Sequence, residues 1–153
     1  MAKCNNNTGR RIMNFHFEVI PIGLIEVLWF KMLPHIQRVV DASAGEITCE
    51  SIKRKAIMDK CSIVVVIKGD EIIAVNTIEV CVYDSGMKAL LIPVVGGNEA
   101  FEWGPAFLAE CNKLAKSLGC SEMRGFSTRE SWKRVLKDYG WKESHFVIKR
   151  DVE

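Results

Sequence analysis

No two of the six cysteines form a C-x-x-C pair; they stand at positions 4, 49, 61, 81, 111 and 120. The three histidines, His16, His35 and His145, are scattered rather than gathered beside them. A structural zinc needs thiolates and imidazoles converging at short spacing, so the pattern argues against a metal site. Cys81 and Cys111 fall inside apolar patterns and read as small core residues. No secretory signal is recognisable, so free thiols in a reducing compartment are expected. Long apolar runs are missing too. The most apolar early stretch, residues 19–30, is interrupted by Glu26 and falls well short of the ~20 residues a membrane span requires, which predicts a soluble protein. Neither sign of charge dominates: 21 basic and 19 acidic residues leave a net +2, too little to imply nucleic acid. The densest basic run, Lys53-Arg54-Lys55, reads as a solvated helix face. Internal repeats and low-complexity linkers are absent.

What remains is a chain of 153 residues, 48% apolar and 26% charged, the balance of one globular domain with a proper core. Residues 1–13 are polar and read as a flexible arm; residues 14–153 read as the domain. Residues 14–20 alternate as a strand with one wet face. Residues 23–41 carry a helical stripe of Leu24, Val27, Leu28, Leu33, Ile36, Val39 and Val40, which Pro34 is expected to kink or break. Thr48 caps a second helix with Ile52, Ala56 and Ile57 inward. Residues 62–68, 71–83 and 87–95 are strands joined by tight turns, an antiparallel meander.

The stretch from 89 to 120 organises the rest. An apolar strand passes through Gly96-Gly97 into an amphipathic helix over residues 104–118, whose inward face is Phe107, Leu108, Cys111, Leu114, Ala115 and Leu118. Converging amides at such a glycine-bearing strand-to-helix turn are a common phosphate site. A strand over residues 120–126 follows. Ser127-Thr128-Arg129-Glu130 is a capping box opening a helix with Trp132, Val135, Leu136 and Tyr139 inward. Gly140 stops it, and residues 143–149 alternate as a last strand. The expectation is an α+β fold: a mixed, mostly antiparallel sheet of about six strands with helices on both faces.

That order of elements resembles the GCN5-related N-acetyltransferase fold from residue 14 onward. The closest correspondence runs from Asp70 to Trp141 and closes on Leu136-Lys137-Asp138-Tyr139-Gly140-Trp141, similar to the family's L-x-x-x-G-F. Three stretches, residues 28–36, Gly96-Gly97 with Glu102-Trp103, and residues 132–141, look like a phage-encoded branch that includes internal virion proteins. The resemblance implies acetyl-CoA held at an R/Q-x-x-G-x-G/A cradle. Aligned on Gly104, that motif meets Glu102 at its first glycine and Glu99 at its Arg/Gln. Two carboxylates there repel a pyrophosphate and instead suit a helix start. The family's thiolate-protonating tyrosine falls on Leu136, which has no proton to give.

The implied reading is a degraded cofactor site on a binding or structural module, in host cytoplasm or virion, with protein partners that include other virion proteins. No cofactor is then expected. The alternative is an active N-acyltransferase using acetyl-CoA, with Val94, Val95, Gly96, Gly97, Trp103 and Gly104 around the cofactor and Glu79 as the candidate base. His16 and His145 are weaker base candidates. Trp103, Arg129, Trp132 and Arg134 are the candidate partner contacts. Arg124, Arg129, Lys133 and Arg134 also form a basic cluster, but Glu122, Glu130 and Asp138 interleave it, so nucleic acid is not expected.

Overall fold

The computed structural model describes residues 14–127 and 130–152. Five strands form one sheet in the order β1-β2-β3-β4-β5. They are β1 (Phe15–Val19), β2 (Ser62–Lys68), β3 (Glu71–Val82), β4 (Lys88–Gly97) and β5 (Glu122–Gly125). The first four pair antiparallel and β5 joins β4 in parallel. The β-branched run Ile63-Val64-Val65-Val66-Ile67 makes β2 a central strand buried on both faces. Helices cover both sides: α1 (Ile25–Ala42) and α2 (Cys49–Ile57) on one, α3 (Ala100–Ser117) and α4 (Glu130–Lys137) on the other.

Two cores result. Beneath α1 and α2 lie Ile25, Met32, Ile36, Ile52, Ala56, Ile63, Val65, Val75 and Val94; beneath α3 lie Val64, Val66, Ala74, Ile78, Leu90, Ile92, Trp103, Phe107 and Cys111. Alternation along β2 and β3 sends successive side chains to opposite layers. Thr48 caps α2 as expected, in a reciprocal box with Ser51 (3.0 Å each way).

Four expectations change. First, α1 is one continuous helix with Pro34 inside it. The lost N–H costs one bond to the Phe30 carbonyl, while Met32 and Ile36, each 0% exposed, anchor the flanking turns in the core. The buried stripe is centred on Ile25, Met32 and Ile36, which leaves Leu24 and Val27 on the outside; Ile57 of α2 is also exposed. Second, α3 starts at Ala100, four residues before Gly104. Gly104-Pro105 imitates a helix start because proline suits a first turn, but here the pair lies in the second turn. Third, β5 is confined to Glu122–Gly125, and the capping-box residues Thr128 and Arg129 lie outside the described residues.

Fourth, the sheet has five strands rather than six, because residues 143–149 pair with nothing among the described residues. A period-2 pattern makes a segment fit for a sheet; it does not supply the edge. The start of this segment is tied to α4 by Lys133–Glu143 (2.6 Å). Beside it, Trp141 lies over Gly125, 3.7 Å from where a β-carbon would stand.

Candidate functional site

The site begins at an irregularity in β4. Thr77 of β3 pairs with Val94 and Glu79 pairs with Leu91, so Ile78 stands opposite two residues, Ile92 and Pro93. This is a β-bulge, a position that tolerates a residue without an N–H. β5 follows β4 only as far as Ile92, paired with Gly125. Past the bulge the two strands part, and the outer backbone edge of residues 94–97 has no strand partner among the described residues. Such an edge can pair with an extended ligand.

The glycines after the bulge belong to the sheet rather than to an open nest. A β-carbon on Gly96 would lie 2.5 Å from Val39 Cγ2 and 2.8 Å from the His35 carbonyl, so α1 rests directly on it. Gly97, at φ 144°, abuts Ala74 and the Ile73 carbonyl of β3 in the same way. Val94 is buried toward α1, whereas Val95 is half-buried toward α3.

The N-terminus of α3 follows at Glu99, which caps the helix in the left-handed conformation (φ 58°, ψ 31°). Its carbonyl accepts from the Glu102 amide (2.9 Å) and the Trp103 amide (3.3 Å). Lys68 Nζ donates to both of its carboxylate oxygens, at 2.8 and 2.9 Å. An exposed carboxylate–ammonium pair thus stands at the positive end of the helix, with Glu102 in the first turn. Gly96 and Gly97 are closed off by packing, Gly104 is a turn away from the first amides of the helix, and the carboxylate of Glu99 beside those amides is matched by Lys68.

Trp103 is 0% exposed. It meets Phe107 edge-on (5.9 Å, 79°) and donates its indole N–H to the Asn98 carbonyl (2.7 Å), so it is a core residue and not a surface contact. Asn76, between Val64 and Val95 on the same face, is also 0% exposed, and its amide nitrogen and oxygen find no partner among the described residues. Burial pushes the Cys111 thiol up to about 12, with Glu110 adding to it, which leaves that cysteine no nucleophilic character.

A groove of about 180 Å³ opens between α3 and α4. Ala100, Phe101, Gly104, Pro105 and Leu108 form one wall; Trp132, Val135, Leu136 and Tyr139 form the other. Phe101 stacks on Trp132 (5.9 Å, 25°). A β-carbon on Gly104 would meet nothing within 4 Å, so that glycine holds space open. Trp132 is therefore a groove residue, and Tyr139 lines the same groove at 54% exposed instead of packing on the sheet. Sequence reasoning missed Phe101 and Pro105, which share a helix face with Leu108 only once α3 is extended back to Ala100.

On the opposite face, Glu79 is placed beside the bulge. Its side chain is 18% exposed and paired with Lys55 (3.2 Å). The sheet rows put Leu91 beside Glu79 and Arg124 beyond it. Arg124 is paired with Glu122 and lies over the Tyr83 ring (4.7 Å). The neighbouring Cys61 thiol is raised first by burial and then by Glu79, with Lys55 opposing. Lys55 engages one of the two carboxylate oxygens of Glu79. Of the remaining candidates, Arg134 lies on exposed α4, His16 pairs with Glu18 (3.1 Å), and Arg129 lies outside the described residues. Lys133 is neutralised by Glu143. No group of three or more potential metal ligands occurs among the described residues. None of the helices among the described residues is long and apolar enough to cross a membrane.

The same fold geometry occurs among solved structures. An acetyltransferase of Trypanosoma brucei superposes with a TM-score of 0.63 at 12% identity, over 90% of this chain and 99% of that one. Glucosamine-6-phosphate N-acetyltransferase of Arabidopsis thaliana gives 0.62 at 16%, over 91% and 99%. A predicted acetyltransferase of Clostridium acetobutylicum, solved with acetyl-CoA, gives 0.66 at 11%, over 90% and 96%. No family model and no curated protein matches the sequence. At these identities the likeness concerns the fold: this chain has the GCN5-related N-acetyltransferase fold.

Proposed function

We propose that this chain is an acetyltransferase-fold protein with a degraded acetyl-CoA site, acting as a non-catalytic binding or structural module for protein partners. One observation carries the reading. The helix end that would receive a pyrophosphate holds Glu99, locked to Lys68 at 2.8 Å, behind glycines sealed by α1 and β3. An anion entering there must displace Lys68 from Glu99 and approach the carboxylates of Glu99 and Glu102, an unfavourable exchange of charge. Leu136 in place of the acid agrees with it. The resemblance read in residues 28–36, Gly96-Gly97 with Glu102-Trp103, and residues 132–141 is the ground for a place in a virion, alongside other virion proteins.

Calorimetric titration with acetyl-CoA tests the reading. No heat is expected from the wild-type chain at millimolar ligand, whereas Glu99→Gln with Glu102→Gly is expected to create saturable binding. Micromolar binding by the wild type would overturn it. The bulge at Pro93 and the parting of β4 from β5 favour the second reading, an N-acyltransferase with a variant cradle and Glu79 as base. In that case Glu79→Gln abolishes turnover of an amine acceptor while acetyl-CoA still binds.

A further inference from the structure

The chain enters the sheet beside the start of α3. Phe15, the first residue of β1, stands opposite Lys68. Phe15 packs against the core beneath α3, and Lys68 reaches Glu99 at 2.8 Å. Residues 1–13, ahead of this point, lie outside the described residues. They carry Lys3, Arg10 and Arg11 and no acidic residue, and Ile12-Met13 stands between the arginines and the domain. The place they lead into is their chemical complement. The start of α3 carries the carboxylates of Glu99 and Glu102, with the Lys68 ammonium on the first of them. Between them Phe101, 67% exposed and stacked on Trp132, lines the α3–α4 groove. An exposed aromatic flanked by carboxylates suits a segment that offers arginines and apolar side chains together.

We infer that residues 10–13 fold back across the first turn of α3, setting Arg10 and Arg11 against Glu102 and Ile12 and Met13 against Phe101, so that the chain's own arm covers this end of the groove. Reach permits it. Arg11 is four residues before Phe15, a span of up to about 13 Å. Glu102 is three residues along the helix from Glu99, about 4.5 Å of rise. Lys68, opposite Phe15, already bridges to Glu99 with one side chain.

Tethering favours the chain's own arm over that of a second copy. A segment joined to β1 at the same end of the sheet meets the helix at an effective concentration on the order of mM. An exposed ion pair contributes little by itself, so the contact needs the arginines and the apolar pair together. A partner that enters the groove past Phe101 then has to displace the arm, which makes residues 10–13 a gate on the surface that the α3–α4 side offers.

Hydrogen–deuterium exchange of the full chain at about 5 and about 50 µM, read by mass spectrometry over residues 8–14, tests the inference. In the wild type the amides of residues 11–13 are expected to exchange about 10-fold or more slowly than in a free peptide of the same sequence. Phe101→Ser with Glu102→Gln is expected to return them to the free rate with an unchanged circular dichroism spectrum, because both side chains are exposed. Arg10→Glu with Arg11→Glu should do the same, and adding Glu102→Arg should restore protection. Exchange at the free rate in the wild type overturns the inference, as does protection that survives Phe101→Ser with Glu102→Gln. Protection found only at the higher concentration assigns the arm to a second copy and overturns the fold-back. Failure of Glu102→Arg to restore protection overturns Glu102 as the partner of the arginines. No ligand enters the measurement, so a negative result here is distinct from a negative result in the acetyl-CoA titration.

Discussion

α1 and α3 are both 18 residues long, both lie on the same sheet and both contain a proline, yet one is sealed and the other leaves a groove. The difference lies in where the glycine is. Under α1 it belongs to the sheet: Gly96 has no side chain, so the helix backbone at His35 comes down onto the strand. In α3 it belongs to the helix: Gly104 faces open space beside Pro105, and α4 lies across that space without burying a residue fully. Removing a β-carbon from the strand closes a layer, whereas removing one from the helix opens it. The surface available to a ligand or partner is thus on the α3–α4 side, while the α1 side anchors the fold.

The sharpest way to break this contrast is Gly96→Val. The new side chain starts 2.5 Å from Val39 Cγ2 and 2.8 Å from a backbone carbonyl that cannot yield cheaply. A loss of about 3 kcal/mol or more is expected, read as a lower urea midpoint at unchanged slope. A variant as stable as the wild type would mean that α1 does not rest on the strand.

Gly104→Ala should have the opposite sign. Nothing stands within 4 Å of the added methyl, and alanine improves a helix interior over glycine by up to about 1 kcal/mol. A higher urea midpoint is expected, at the expense of groove volume beside Phe101 and Trp132. Destabilisation would show that the groove is filled in solution.

Much of this architecture was legible in the residues. The run Ile63-Val64-Val65-Val66-Ile67 and the turns at Gly69-Asp70 and Asp84-Ser85-Gly86 fix the meander, because β-branched density and tight turns act locally. Thr48 marks α2 because a cap is satisfied within three residues. The site was less legible. Glu99 and Glu102 suit a helix start by charge, and α3 does begin there, but Gly104-Pro105 imitates a later one. That error moved the supposed cradle by a turn and hid Phe101. The tail failed in the other direction: its alternation is real, but a strand exists only where an edge receives it, and no single-chain pattern encodes that edge.

The smallest expected effect concerns the seam that seals α1. His35 donates from Nε2 to the Ile72 carbonyl of β3 (3.0 Å, taking the tautomer that carries the proton there), and its buried Nδ1 has no partner among the described residues. Its pKa is lowered from the ordinary 6.5 chiefly by burial; the bond to Ile72 opposes this, and the Arg38 charge adds to it. The folded chain therefore takes up this proton later than the unfolded chain does. The contribution is whole above pH 6.5 and declines as pH falls from there through the lowered folded value. Urea midpoints measured from pH 8 to pH 5 should fall more for the wild type than for His35→Gln, whose amide can still donate to Ile72 but does not titrate. Because the imidazole is only part-buried, the divergence should be modest and confined to the acid side of neutrality. Superimposable profiles would show that α1 is sealed by Gly96 and its apolar neighbours alone.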